Sequence, residues 1–499
     1  MPDAPGKAAM PDLRGRLAGL THTGGHGLAS AATGTETGPK IIPRPEHNVS
    51  RAQISKNALK VMYRLRDAGY QAFLVGGGVR DLLLGREPKD FDIATDAHPD
   101  DVRRLFRNCR LIGRRFRLAH VYFGRDIVEV ATFRASEDLA DADNDADTED
   151  ESLLLKDEEG RILRDNRYGT IDDDVWRRDF TANSLYYNIA DFSIWDYAGG
   201  VDDIRAGVLR LIGEPDARYR EDPVRLLRAV RFAAKLGFRI ETATEEPLRT
   251  LAPLLESVPP ARLFDEVLKL FLGGYAVPSY ELLRRYGQFG QLFPAVDRLL
   301  DSEAGEPYRA LLLESLGNTD QRVAADEPVT PVFLFSVLLW GPVRQRALRL
   351  EDEGESPVQA LLLAADEVVD AQQRHVSIPR RITTPMKEMM VMQLRLQKTR
   401  GRRVLGMLAH PRFRAAYDFL CLRARSGDED PALAEFWTGL QVMDEDGRSA
   451  AVESGGRRSR PEDVESAAPA GGAGPRAEPA SKPRRRRRPR RRKPGGGAG

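Results

Sequence analysis

Cys109 and Cys421 are the only two cysteines in 499 residues. Two thiols allow neither a disulfide framework nor a thiolate zinc site, and they suit a reducing compartment. The seven histidines are scattered. His120, on an expected strand, has no partner histidine at ligand spacing. No stretch approaches the ~20 uninterrupted apolar residues of a membrane span, and the N-terminus lacks a basic start followed by an apolar core. No integral membrane segment and no secretory signal are therefore expected, and the location expected is cytoplasmic. No internal repeat is found.

Charge, by contrast, is plentiful. Charged residues make up 30% and hydrophobic residues 41%, a balance suited to a soluble body with some unstructured polar sequence. The net charge of +1 hides an asymmetry: Lys482 to Lys493 holds ten positive charges in twelve residues, so the remainder nets −9. By simple electrostatics such a run is a phosphate-binding arm. Residues 137–159 are its opposite, with twelve Asp or Glu and one Lys, and read as an acidic loop insertion.

Hydrophobic periodicity divides the chain. Residues 1–47 are rich in Gly, Ala, Thr and Pro, lack periodicity and read as disordered. An α+β head is expected over 48–215. It is entered by a helix from Ile54 to Ala68, on which Ala58, Val61, Met62 and Leu65 recur at helical spacing. Strand-like runs follow at Ala119–Phe123 and Ile127–Thr132. From Arg218 the pattern is helical, giving a neck over 216–275 and an all-α body over 276–442. The aromatic run Phe413, Tyr417 and Phe419 reads as helix core. Residues 443–499 read as disordered linker and basic tail.

Chemistry concentrates in the run Leu74-Val75-Gly76-Gly77-Gly78-Val79-Arg80-Asp81 and in Asp90-Phe91-Asp92-Ile93 shortly after it. The glycines fall between a short apolar strand, Gln71 to Val75, and a helix start, where bare backbone N–H groups can approach phosphate. Strand side chains alternate, so on an extended Asp90–Thr95 both carboxylates face one way and Phe91 and Ile93 the other. Two carboxylates opposite a phosphate cradle make a site for a divalent metal and a nucleoside triphosphate. Glu129, on an expected strand, is a candidate third carboxylate. Farther on, Asp179 and Asn183 in Arg177-Arg178-Asp179-Phe180-Thr181-Ala182-Asn183 are four apart and would share a helix face. In Glu221-Asp222-Pro223-Val224-Arg225-Leu226-Leu227-Arg228, Asp222 can cap a helix that Gly237 ends, with Arg225 and Arg228 on one face.

The segment Leu74 to Thr95 resembles the signature of the class II tRNA nucleotidyltransferase/poly(A) polymerase family, whose head is of the DNA polymerase β type. The family comprises tRNA CCA-adding enzymes and bacterial poly(A) polymerases. The resemblance implies two Mg²⁺ ions held by the catalytic pair Asp90 and Asp92, with Asp179 completing the catalytic site. It implies ATP held by Gly77, Arg80, Arg178, Asp222, Arg225 and Arg228, the Glu-Asp-x-x-Arg element reading the base as a protein template. A carboxylate accepting from an exocyclic amine and an arginine donating to a ring nitrogen fit both adenine and cytosine.

Within the family, Leu111–Phe123 resembles the stretch that marks the polymerases, as does the Arg/Pro-rich tail. Similarity runs on through Leu163–Asn166, Asp196–Gly200, Arg218–Pro223 and His410–Asp418. The function expected is template-independent transfer of AMP from ATP to RNA 3′ ends, serving mRNA processing and decay. The partners expected are RNA and RNA chaperone or RNA-decay proteins, and the state expected is monomeric. The alternatives are CCA addition to tRNA and a noncatalytic RNA-binding protein on a degenerate head; retention of both aspartates argues against the latter. A Rossmann dinucleotide fold is disfavoured because no Gly-x-Gly-x-x-Gly occurs in the run.

Overall fold

Strand alternation in Ala72–Val75 sets the layering of the head. Phe73 and Val75 pack into one apolar cluster with Ala94, Phe133, Val175 and Tyr186. Ala72 and Leu74 pack into another, on the opposite face, with Val61, Ile93, Val128 and Val130. In the computed structural model, which describes residues 38–113, 117–135, 154–156, 162–165, 167–401 and 403–454, this strand lies near the middle of an eight-stranded sheet.

The strands are β1 (Lys40–Ile42), β2 (Ala72–Val75), β3 (Ile93–Thr95), β4 (Cys109–Ile112), β5 (Leu118–Phe123) and β6 (Asp126–Thr132), followed by β7 (Leu154–Lys156), β8 (Ile162–Asp165), β9 (Leu185–Asn188) and β10 (Ile194–Asp196). The sheet order is β1-β10-β9-β2-β3-β6-β5-β4, while β7 and β8 form a separate ribbon. Within the sheet β3 and β6 pair in parallel and the other neighbours antiparallel. A last parallel pair, β11 (Val208–Leu209) and β12 (Arg239–Ile240), ties the end of the head to the helices beyond.

Helix α1 (Lys56–Asp67) starts where Ser55 accepts from the Ala58 N–H at 3.0 Å, and it buries the expected Ala58, Val61, Met62 and Leu65. The head also carries α2 (Gly77–Leu83), α3 (Pro99–Leu105), α4 (Ile171–Trp176) and α5 (Gly200–Ala206). Next come α6 (Pro215–Glu221), α7 (Val224–Leu236), the short α8 (Thr242–Glu245) and α9 (Pro247–Thr250), and α10 (Pro260–Phe271). Asp222 accepts from the Val224 N–H at 3.3 Å, and Gly237 ends α7 in the left-handed region at φ 71°. The remaining described chain is helical, with Pro331–Asp352 packed on Pro357–Gln372 and Arg380–Leu396. One continuous apolar core joins these helices to α7 and α10. Phe413 and Phe419 are buried in it, and Tyr417 stacks on Phe413.

Four sequence expectations change. Ordered structure begins before residue 48, because Lys40–Ile42 adds an edge strand to β10. A helix, Glu445–Ser454, continues past residue 442 and buries Val452. The strand that follows Asp90 and Asp92 begins at Ile93, so the two aspartates lie in its extended approach. The Asp179–Asn183 segment is a bridge residue and a single 3₁₀ turn, Thr181–Asn183, because Phe180 pairs with Leu211. Of the acidic insertion, only 154–156 fall within the described residues, and they form β7. The remainder of it, residues 1–37 and the basic tail lie outside them.

Candidate active site

The face of the sheet that carries Phe73 and Val75 also carries the acidic residues. Ile93 packs on the opposite face and Ala94 on this one, so Asp90 and Asp92 share the parity of Ala94. Val128 and Val130 face away, which turns Glu129 to the same side; Ala119 and Val121 do likewise for His120. The β3–β6 register pairs Ile93 with Val130, so Asp92 arrives beside Glu129. Across β5–β6, His120 is opposite Glu129, with Nε2 3.3 Å from Oε2.

All three carboxylates line a cleft of about 1290 Å³. The Asp92 carboxyl is pushed up to about 6 by the protein around it, by Glu129 and by Asp90, while Arg178 and His120 act the other way. Like charges crowded on one face without enough compensation are a donor set that a cation would relieve. Among the described residues no group of three acidic, histidine or cysteine side chains forms a ready-made metal cage.

Gly76 turns the chain from β2 into α2 at φ 66° and ψ −133°, a conformation closed to residues with a side chain. A Cβ there would lie 3.6 Å from Arg178 Nη1. That distance is ordinary contact, so it is the backbone angle that requires glycine at the turn beside Arg178. Arg178 is aimed by Asp174, which accepts from Nη2 at 2.8 Å, and by the Tyr186 hydroxyl, which accepts from Nε at 2.7 Å. Burial raises the Asp174 carboxyl, but Arg178 and Tyr186 outweigh it and hold the pKa below the usual range.

Arg80, by contrast, is only 2% exposed. Its guanidinium donates to Asp81 at 2.8 and 2.7 Å and to Asn183 Oδ1, and lies 5.4 Å above the Phe232 ring. It lines the cleft as a buttress joining α2 to the 3₁₀ turn. Asp179 is comparably engaged. It accepts from the Phe180 N–H at 2.8 Å, from Asn183 Nδ2 at 3.2 Å and from Arg228 Nε at 2.7 Å. Burial would raise its pKa; Arg228 and these donors bring it below normal.

The opposite wall is α7. Arg225, Arg228, Arg231 and Lys235 recur at spacings of three, three and four and line the cleft as one cationic stripe. Each is held by a carboxylate from a different element. Glu221 at the end of α6 takes Arg225 at 2.7 Å, and Asp179 takes Arg228. Glu266 on α10 takes Arg231 at 3.2 Å, and Asp81 on α2 lies 3.7 Å from Lys235. Asp222 is gripped in two places by Arg262, at 2.8 and 2.6 Å.

Of the residues singled out in the sequence, Gly77, Arg80, Asp90, Asp92, Glu129, Arg178, Asp179, Asp222, Arg225 and Arg228 all line this one cleft. Sequence reasoning missed Asp174, Tyr186, Arg231, Lys235, Arg262 and Glu266. Arg231 and Lys235 extend the Arg225–Arg228 spacing and were legible in it. Asp174 lies four residues before Arg178, a spacing also visible in the sequence, and the others meet their partners only through the fold.

Comparison with known proteins gives three family matches: "Poly A polymerase head domain" over residues 72–210, "Probable RNA and SrmB- binding site of polymerase A" over 237–300 and "Polymerase A arginine-rich C-terminus" over 353–493. The chain is 50% identical to poly(A) polymerase I of Escherichia coli over 405 residues, 81% of this chain and 86% of that one. Its identity to the CC-adding tRNA nucleotidyltransferase of Halalkalibacterium halodurans is 33% over 236 residues, 47% of this chain and 54% of that one. Among solved structures, the Bacillus stearothermophilus CCA-adding enzyme in complex with CTP shares the fold. Its TM-score is 0.51 at 23% identity, covering 79% of this chain and 86% of that one.

Proposed function

The chain belongs to the poly(A) polymerase I family of template-independent nucleotidyltransferases, and from that premise we propose how its cleft transfers AMP from ATP to an RNA 3′-hydroxyl. The observation that carries the reading is the opposition of charge within one cleft. Asp90, Asp92 and Glu129 face it from the sheet, and the glycine turn, Arg178 and the α7 stripe line the same cleft.

Asp90 and Asp92 would hold Mg²⁺, with Glu129 beside Asp92 as a further acceptor. Bound there, the metal supplies a lowered pKa for the attacking hydroxyl and charge neutralisation for departing pyrophosphate. The chain's own residues do the positioning. Backbone N–H groups at Gly77 and the start of α2 lie where phosphate oxygens can be met without a side chain intervening. Arg178, fixed by Asp174 and Tyr186, offers its outward N–H groups to the triphosphate and can follow charge as it moves to the leaving group. Asp179 stays ionised against Arg228 and fixes that arginine at the cleft wall.

Base choice falls to the α6–α7 junction. Arg262 orients the Asp222 carboxylate and Glu221 orients Arg225, so that an acceptor and a donor are presented side by side. Adenine offers the matching exocyclic amine and ring nitrogen, whereas guanine and uracil present the reverse. Cytosine fits the same pair, so exclusion of CTP must come from the shape of the cleft. Similarity to the polymerase over most of both chains, against about half of each for the CC-adding enzyme (47% and 54%), favours adenylate addition over CCA addition. Among the described residues no helix is long and apolar enough to cross a membrane. A role in mRNA processing and decay, with RNA-decay proteins as partners, belongs to this proposal.

The test uses the full chain with Mg²⁺ and two end-labelled RNAs, an unstructured oligomer and a tRNA lacking its terminal CCA. Each nucleoside triphosphate is offered alone, then all four together. The expected result is a long ladder on the oligomer with ATP alone. Addition of C, C and A confined to the tRNA would overturn it.

A further inference from the structure

Trp176 ends α4 at the mouth of the cleft, and it differs from the chain's other tryptophans. Trp340 and Trp437 are 2% and 0% exposed, and their indole N–H groups donate to Asp428 and to the Leu396 carbonyl. Trp195 is half-buried and donates to Ser193 at 3.0 Å. Trp176 is 51% exposed, lines the cleft and has no hydrogen-bond partner for its indole among the described residues. Most of the other residues that line the cleft are charged, so the exposed indole offers a flat apolar face there on which a planar ring can stack.

The ring stands on a fixed base. Ile171 and Val175 anchor α4 in the sheet core. Just after Trp176, the carbonyls of Arg177 and Arg178 accept from Arg218 Nη2 at 3.1 and 3.0 Å. The backbone at Trp176 is thus clamped between α4 and α6, and the ring is a platform more than a mobile tether.

We propose that Trp176 stacks on a base of the RNA primer as its 3′ end enters the cleft. The inference rests on the polymerase reading above, in which the incoming base is met by Glu221, Asp222 and Arg225 at the α6–α7 junction. That leaves the primer bases without an assigned contact, and the mouth is where the primer must pass. A stacking contact accepts any base, because each has a π-face. An enzyme that extends RNA ends of any sequence requires that tolerance at its first addition.

The experiment reads tryptophan fluorescence and steady-state kinetics on the full chain. With oligoadenylate and no ATP, wild-type fluorescence should be quenched, and Trp176→Phe should lose that quench while still binding labelled RNA by anisotropy. Trp176→Ala should raise KM for RNA about tenfold, with kcat at saturating RNA and KM for ATP held within about twofold. Trp176→Phe, which still stacks, should recover most of the loss. A quench that persists in Trp176→Phe would overturn the proposal, as would an unchanged KM for RNA in Trp176→Ala. A rise in KM for ATP alone would move the contact to the incoming base and overturn it equally. Quenching needs no turnover, so a wild type that binds RNA without extending it would count against the polymerase reading and leave the Trp176 contact standing.

Discussion

Asp92 sits in a cleft that water can enter, yet its carboxyl is pushed up to about 6 by surrounding protein, Glu129 and Asp90. Its reference value is 3.8, so the folded state holds the proton more tightly than the unfolded state does. The stability this gives is fully present below pH 3.8 and is lost as pH rises through 6. Above that, the ionised form strains the metal-free protein, and Mg²⁺ would remove the strain. Asp92→Asn should therefore raise Tm in EDTA at pH 8, and the difference from wild type should vanish towards pH 4 and at saturating Mg²⁺. The same variant should lose more than about a hundredfold in extension rate, beyond what loss of an outer-sphere partner costs. A thermal melt series across pH, paired with primer extension, checks both. A Tm in EDTA no higher than wild type would show that the acidic face is not crowded.

Elements hold this site together by two devices, a turn and a stripe. Gly76 adopts a φ of 66° that a side chain resists, and the turn it makes lies in contact distance of Arg178. Gly76→Ala should cost about 1–3 kcal/mol in urea unfolding and also slow extension, because relief of the strained backbone angle shifts the turn that lines the cleft. Gly237, with a positive φ but open space around it, serves as contrast: Gly237→Ala should cost stability alone. On the stripe, Arg228 and Asp179 form a pair with side chains 32% and 10% exposed. Arg228→Ala strands a carboxylate and should cost about 3 kcal/mol, the low end for a buried pair. Adding Asp179→Ala should restore part of that stability, and a fully additive double-mutant cycle would show the pair to be uncoupled.

These elements also show where sequence reading works. The turn, the two aspartates and the Arg225–Arg228 face were legible because each is local: a glycine run, a period of two, a period of three. Arg80 was legible as a residue of the cleft lining, but its contacts were not: its guanidinium is only 2% exposed and bound to Asp81 and Asn183. Arg262 and Glu266 gave no local signal. Arg262 meets Asp222 across 40 residues and Glu266 meets Arg231 across 35, and only packing of α10 against α7 brings them together. The strand before residue 48 was missed because three residues, Lys40–Ile42, are too few to show a period beside a long stretch without one.

Over the whole molecule, charge is segregated. The ten cations of 482–493 offset a remainder at −9, so long-range attraction of RNA to this chain rests heavily on one segment. The four α7 cations of the cleft are each held by a carboxylate, which directs them but cancels much of their field at a distance. Affinity for RNA and chemistry on RNA should therefore separate. Deleting 482–493 should weaken binding to an unstructured RNA and flatten the plot of log affinity against log salt. For single strands each phosphate contact contributes about 0.7 to the slope, so ten contacts would account for about 7. At saturating concentrations of a short primer the truncated chain should keep its kcat, because the cleft residues placed among the described ones all lie outside the deleted segment. Salt titrations of binding for the two chains, run beside extension rates at saturation, decide the matter. An unchanged slope would place the RNA-attracting charge on the folded body, and a lost kcat would mean that the segment reaches into the cleft.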